Sequence, residues 1–393
     1  MKAVYPRLEL LANWALVGVL VLLCAPWVLS SNKLYHQLLI FLLWLPGLLA
    51  LGRIEFRRLL LQPELILFLF LAAWTLLVVA IQNGKDGLGD AKLPFYVLLS
   101  LLGVLVAAQQ RQCSIEWLLQ VAVLIAGPFA LWSVIDFYLL AGNAVSRRVV
   151  AVGLWDKVIM AAHAVGALAV LGCLLSLRLR QTWRWPLALL VLFALALFLL
   201  LSQTRGVWGA LVAALVVSVL VRPSRPGVAV LGLCALGVLL LALFVPDFLT
   251  QRGLSHRPEL LWKGLALFAE HWKLGLAFSS YGITVDSLGS TFKHPHNLYL
   301  DMGIRWGVLG LVLFMMLWSC VAWRAWCNRR SDLGCALLAL WTFSSVSMLT
   351  DGIGLWIKPN ADWLITWLPI AISIVLAARQ KSSVAGADKT ATL

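Results

Sequence analysis

The sequence predicts an all-α polytopic membrane protein of about twelve transmembrane helices, with one large periplasmic loop that carries an amphipathic helix. Three observations predict it. Only 12% of residues are charged and mean hydropathy is +0.94, whereas soluble domains carry about 25% charged residues. Apolar runs on the order of 20 residues, the length that crosses about 30 Å of hydrocarbon, follow one another along the 393-residue chain. The turns between them alternate in charge, as the positive-inside rule requires of a chain that crosses repeatedly.

The runs fall at residues 10–29, 34–51, 64–81, 93–108, 115–140 and 158–177, then at 185–201, 206–221, 228–245, 298–326, 333–349 and 363–378. One set of turns gathers Arg53, Arg57 and Arg58; Arg178, Arg180 and Arg184; Arg222 and Arg225; Arg324, Arg329 and Arg330. The opposite set is poorer, holding Lys33, Lys85, Lys92, Arg147, Arg148, Lys157, Arg205 and Lys358. Both termini are therefore expected in the cytoplasm, in agreement with an even number of spans. The first run lacks an Ala-x-Ala cleavage site and reads as a retained helix. Residues 1–245 then hold nine helices, 246–297 the outer loop, 298–381 three more helices, and 382–393 a disordered cytoplasmic tail.

The composition also excludes. A net charge of +14 without a soluble domain to carry a basic surface points to membrane lipids and not to nucleic acid. Seven cysteines without CxxC or zinc spacing give neither a disulfide framework nor a structural metal site. There is no Gly-rich phosphate loop, and no cofactor is expected. An activated donor must reach the outer face with its leaving group built in, as a lipid diphosphate does.

The long connection is expected to be ordered, because loops of this length in compact folds are usually functional. Pro258 suits a first helical turn, Leu261, Leu265, Phe268 and Trp272 recur at helical spacing, and Gly275 ends the run. An amphipathic helix at the membrane surface is the natural reading. Residues 282–290 have the composition of a mobile lid. The connection closes on Lys293-His294-Pro295-His296-Asn297-Leu298-Tyr299-Leu300-Asp301, where water meets lipid. Pro295 in a first turn would set His296 at a helix N-terminus, whose partial positive charge disfavours imidazolium and suits a general base. Asn297 or Asp301 is expected to orient it. An isolated interfacial histidine usually has no chemical role; the amide neighbour, Lys293 and the loop end favour one here. His294 is a second ligand or, more simply, a loop residue. No carboxylate cluster accompanies the His-x-His pair, so no metal is expected.

Arg205 lies in Ser202-Gln203-Thr204-Arg205-Gly206, a tight turn between two apolar runs. An arginine so close to hydrocarbon is costly unless it pairs or faces a cavity. A guanidinium suits bidentate grip of a phosphate, while a snorkelling anchor is the plainer alternative. Arg257 precedes the amphipathic helix, adding charge to backbone amides already suited to an anion, or is a surface charge. Arg147 and Arg148 lie on the same side and either extend a diphosphate-binding surface or contact lipid headgroups.

Together these residues resemble the O-antigen ligase and O-antigen polymerase superfamily of bacterial inner-membrane glycosyltransferases. Pro295-His296-Asn297-Leu298-Tyr299-Leu300 is similar to the family's His-Asn-x-x-Leu signature. Thr204-Arg205-Gly206 is similar to its Ser/Thr-Arg-Gly turn, and Arg257 through Trp262 to the Arg-x-x-x-x-Trp opening of its periplasmic loop. One departure is Gly275-Leu276-Ala277-Phe278, where relatives often have a second glycine. The resemblance implies an inverting, metal-independent transfer from an O-antigen glycan on undecaprenyl diphosphate to a lipid A–core acceptor. His296 would activate the acceptor hydroxyl, and Arg205 and Arg257 would hold the diphosphate. The single large outer loop favours the ligase branch over the polymerase. A protein O-oligosaccharyltransferase is the other relative to weigh. A lipid-linked glycan transporter, from another class, should instead place paired ionisable groups mid-span.

Overall fold

In hydrocarbon every backbone polar group has to be satisfied within the protein, so each apolar run has little alternative to helix. The computed structural model describes residues 6–82, 89–110, 114–176, 185–244 and 256–391. Lys85, Arg178, Arg180, Arg184 and residues 246–255 of the outer loop lie outside them. Helix α1 (Pro6–Cys24) leads to α2 (Asn32–Leu39), which continues through a π turn into α3 (Leu45–Ala50), and a short α4 (Ile54–Leu60) follows. Then come α5 (Pro63–Gln82), α6 (Leu93–Ala107), α7 (Ile115–Ile135), α8 (Val158–Ser176), α9 (Trp185–Leu201), α10 (Arg205–Val221) and α11 (Arg225–Phe244). The chain ends with α12 (Arg257–His271), α13 (Leu298–Cys327), α14 (Asp332–Thr350) and α15 (Trp363–Ala391).

The protein is thus an all-α polytopic membrane protein, and each of the predicted runs lies on helix. Among the described residues, 8 helical segments are long and apolar enough to cross a membrane. Four shorter apolar helices, Leu93–Ala107, Pro186–Leu201, Arg205–Val221 and Arg225–Gly237, carry the remaining runs. The last helix runs from Trp363 to Ala391.

Polar contacts tie the two ends of the bundle differently. At one end, buried Glu64 accepts from Arg324 Nε (2.8 Å) and Ser373 Oγ (2.9 Å), linking α5, α13 and α15. Arg379 grips the Glu116 carboxylate with both terminal nitrogens (2.6 and 2.9 Å), and Arg222 pairs with Asp332 at 2.9 Å. At the other end the loops bond to one another: Leu154 N to Pro26 O (2.8 Å), Val149 N to Leu201 O (3.2 Å) and Gln82 Nε2 to Gly275 O (2.9 Å).

The described part of the long connection is built into that second end. Helix α12 buries Leu260 and Gly264, yet leaves Leu261, Leu265 and Trp262 exposed, Trp262 by 70%. That open apolar face suits a lipid surface. Residues 282–290 are not a free lid. They belong to an antiparallel hairpin, β1 (Ile283–Val285) with β2 (Ser290–Phe292), whose Ile283 and Val285 pack on Leu260. The Glu259 carboxylate accepts from Asp286 N (2.8 Å) and Ser287 Oγ (3.0 Å), and Lys263 pairs with Asp286 at 2.7 Å, so the turn is fastened to α12.

Helix α13 breaks at Gly307 (φ +66°, ψ −174°). The break frees backbone groups that residues 272–277 take up: Val308 N donates to Trp272 O (2.7 Å), while Leu276 N and Ala277 N donate to Ile304 O (2.9 Å) and Arg305 O (2.8 Å). A Cβ at 307 would lie 2.5 Å from Lys273 O, so only glycine lets the loop approach. The long connection is thereby sewn to the first turns of α13, which begin at the His-Asn segment.

Removing one partner of a buried ion pair strands the other. Glu64→Ala is expected to destabilise the detergent-purified protein by about 3 kcal/mol. In a double-mutant cycle with Arg324→Ala, the two losses should fall short of adding. Additive losses would show that the pair is not coupled.

Candidate active site

Helix α14 ends at Thr350, and the next residue, Asp351, turns out of it in an extended conformation and is 5% exposed. The Asp351 carboxylate accepts from Gly352 N (2.8 Å) and lies 3.0 Å from His296 Nδ1. Burial alone would push this carboxyl up. The hydrogen bond and charge of His296, the charge of His163 and the Gly352 N–H outweigh it, holding the group at about 2 instead of the ordinary 3.8. An ionised carboxylate can only accept, so Nδ1 carries a proton, and in the neutral ring the basic lone pair sits on Nε2.

His296 adopts a left-handed backbone, φ +51°, uncommon for a side chain of its size. Backbone strain of this kind persists only where neighbours over-determine it. Pro295 is buried on one side of it. On the other, Asn297 is the N-cap of α13, its Oδ1 accepting from Leu300 N at 3.0 Å. His296 therefore precedes the helix and does not occupy its first turn. Neither Asn297 nor Asp301 orients the ring. Asp301 is fully buried, paired with Arg305 Nε (3.1 Å) and bonded by the Tyr281 hydroxyl. The orienting group is Asp351.

The His294 ring centroid lies 4.2 Å from that of His296. Burial, and then the neighbouring His296 charge, push its pKa down, and its Nδ1 is buried without a hydrogen-bond partner. The His-x-His pair does acquire a carboxylate: ligating atoms of His294, His296 and Asp351 lie within 4.8 Å of one another. The contacts of Asp351 already engage His296 Nδ1 and Gly352 N, which a metal ion would have to displace.

Arg205 is the first residue of α10, presented by a turn whose Gln203 has φ +50°. Arg148 braces that turn from below, donating to Ser202 O and Thr204 Oγ1, both at 2.7 Å. A Cβ on Gly206 would meet Thr350 Oγ1 at 2.3 Å, so the glycine lets α10 close on the end of α14, next to Asp351. Within Thr-Arg-Gly, the threonine thus accepts from Arg148, the arginine supplies a cation, and the glycine permits the close approach. Arg257 opens α12 behind a left-handed His256 (φ +56°), with Pro258 in the first turn.

These pieces, distant in sequence, meet. Arg205, Arg257, His296 and Asn297 line one cavity of about 550 Å³, walled further by Pro258, Leu261, Trp262 and Leu349. Lys293 is exposed and Arg147 is exposed, bonding Asn143; neither they nor Arg148, His294 and Asp301 line it. Arg148 and His294 act one layer back, on the turn of Arg205 and the ring of His296. Asp351 escaped the sequence reading, although an acidic residue opening Asp351-Gly352-Ile353-Gly354 at the end of an apolar run was there to be weighed.

Fold and cavity define a multi-pass membrane protein with two guanidiniums and a carboxylate-oriented imidazole in one site. Such a set can hold a diphosphate and accept a proton beside it. A family model described as O-Antigen ligase matches residues 190–315, from α9 into α13. An O-antigen ligase of Pseudomonas aeruginosa strain PAO1 is 27% identical over 378 residues, covering 95% of this chain and 93% of the relative. The chain is thus similar to O-antigen ligases, over residues 190–315 by the family model and over nearly its whole length by the relative.

A carboxyl whose folded pKa lies below its unfolded value contributes stability that is present above the unfolded value and lost as pH falls through the folded one. The melting-temperature gap between the native protein and Asp351→Asn should hold steady above about pH 4 and close toward about pH 2. A gap unchanged at the acid end would deny the contact its electrostatic character.

Proposed function

We propose that the chain joins a preassembled O-antigen glycan, carried on undecaprenyl diphosphate, to a sugar hydroxyl of lipid A–core at the periplasmic face of the bacterial inner membrane. The coarser statement, an O-antigen ligase-type glycosyl-transferring enzyme in a membrane, is supported by the likeness to O-antigen ligases. The observation that carries the finer reading is the single cavity lined by Arg205, Arg257 and His296.

In this reading the two guanidiniums grip the donor diphosphate and stabilise the charge that grows on it as the glycosidic bond breaks. The acceptor hydroxyl attacks the anomeric carbon from the opposite face, which inverts its configuration. Its proton passes to His296 Nε2, a new C–O bond forms, and undecaprenyl diphosphate leaves with the bonding electrons. Asp351 keeps the ring in the required tautomer and stabilises the imidazolium that results. The exposed apolar face of α12 and the wall at Leu261 and Leu349 suit the polyprenyl tail. The diphosphate is its own leaving group and two arginines supply the countercharge, so the reaction in this reading needs neither nucleotide nor metal.

Purified protein given lipid-linked glycan and core acceptor should form product without ATP and with chelator present. His296→Ala should lower the rate by about 10²–10⁴-fold, with a fall in melting temperature no larger than that of Asp351→Asn, and Arg205→Ala or Arg257→Ala should lower it by about 10²–10³-fold in protein that remains folded. Full activity of His296→Ala, or a requirement for added metal, would sink the mechanism. In cells, deletion should remove every long-chain step of the lipopolysaccharide ladder while lipid-linked polymer accumulates. A surviving single-repeat band would mean a polymerase.

A further inference from the structure

A second, larger cavity of about 860 Å³ opens at the same end of the bundle, between the first turns of α2, the turn before α6 and the loop from α14 to α15. Its walls include Lys33, His36, Arg305, Trp306, Trp356 and Lys358, with Asp90 the one carboxylate. Lys33 and Lys358 are exposed, come from opposite ends of the sequence, and have no ion-pair partner among the described residues. Arg305, held by Asp301, adds a third positive charge. Two tryptophans in the wall are almost fully buried, Trp306 at 1% and Trp356 at 3% exposure. Net positive charge on an aromatic wall describes a site for an anionic, ring-bearing molecule.

One short segment of chain connects the walls of the two cavities. Asp351 touches His296 of the first, while Ile353 and Gly354, two and three residues on, line the second. A Cβ at Gly354 would lie 3.7 Å from Asp301 Oδ2, so the segment runs against the start of α13. Resting on the donor assignment above, we infer that this second cavity binds the acceptor as a phosphorylated saccharide, its phosphate held between Lys33 and Lys358. The first cavity then holds the diphosphate donor, and the His296–Asp351 pair stands at the boundary between the two substrates.

The test uses the full-length protein in nanodiscs of zwitterionic lipid and measures equilibrium binding of core oligosaccharide–lipid A, phosphorylated or enzymatically dephosphorylated in the core. Lys33→Glu and Lys358→Glu should each weaken binding of the phosphorylated acceptor about tenfold, the size of one lost charge-assisted contact, with Lys358→Arg close to native. The dephosphorylated acceptor should bind weakly and be indifferent to both substitutions. In turnover, the acceptor KM should rise and the donor KM stay within about twofold. Equal affinity for both acceptors, or a rise in donor KM, overturns the acceptor assignment. If the substitutions matter only when anionic lipid is added, the cavity holds a lipid headgroup and the inference fails. Binding is read without turnover, so an inactive donor reaction would count against the proposed transfer and leave this result to stand by itself.

Discussion

The contact between His296 Nδ1 and the buried Asp351 carboxylate, 3.0 Å long, is the constraint around which the site end of this bundle is arranged. It joins the end of the long connection to the end of α14, residues 55 apart in sequence. Everything nearby serves that meeting. Asn297 caps α13 and so fixes where the connection stops, the left-handed backbone at His296 turns the ring, and Gly206 lets α10 bring Arg205 up against Thr350. One buried carboxylate, ionised because its partners outweigh the cost of burial, thus sets the tautomer of the imidazole and the position of the cavity wall.

The two ends of the protein divide the work. At the far end Glu64, Glu116, Arg324 and Arg379 clamp α5, α7, α13 and α15 by direct ion pairs, which a low-dielectric surrounding makes costly to break. At the site end the helices are held by loops: the hairpin is fastened to α12, and residues 272–277 take up backbone groups released by the break at Gly307. The rigid far end lets the site end carry strained residues such as Gln203, His256, Ala277 and His296, all at positive φ. Ala277, at φ +49°, holds a backbone conformation that a glycine would adopt without steric cost.

How far the sequence could be read follows from the range of each interaction. The apolar runs became helices because hydrophobic length is a local property and the bilayer allows little else. Arg205, Arg257 and His296 stood out because charged and imidazole side chains at the edge of hydrocarbon are expensive. Asp351 did not, since its role exists only through a partner on another element. The hairpin was hidden for the same reason: its strands are three residues each, and what orders them is Glu259 and Lys263 on α12. Helix α13 starts at Leu298, where the apolar run does, and leaves Pro295 outside its first turn because Asn297 is the better cap.

The most direct test is a structure of the protein with a non-transferable undecaprenyl diphosphate sugar bound. Both phosphates should lie between the Arg205 and Arg257 guanidiniums, with the anomeric carbon facing the His296 ring and Asp351 still on Nδ1. Phosphate density away from the two arginines, or a His296 ring swung off Asp351 toward another partner, would contradict the assignment of donor site and base.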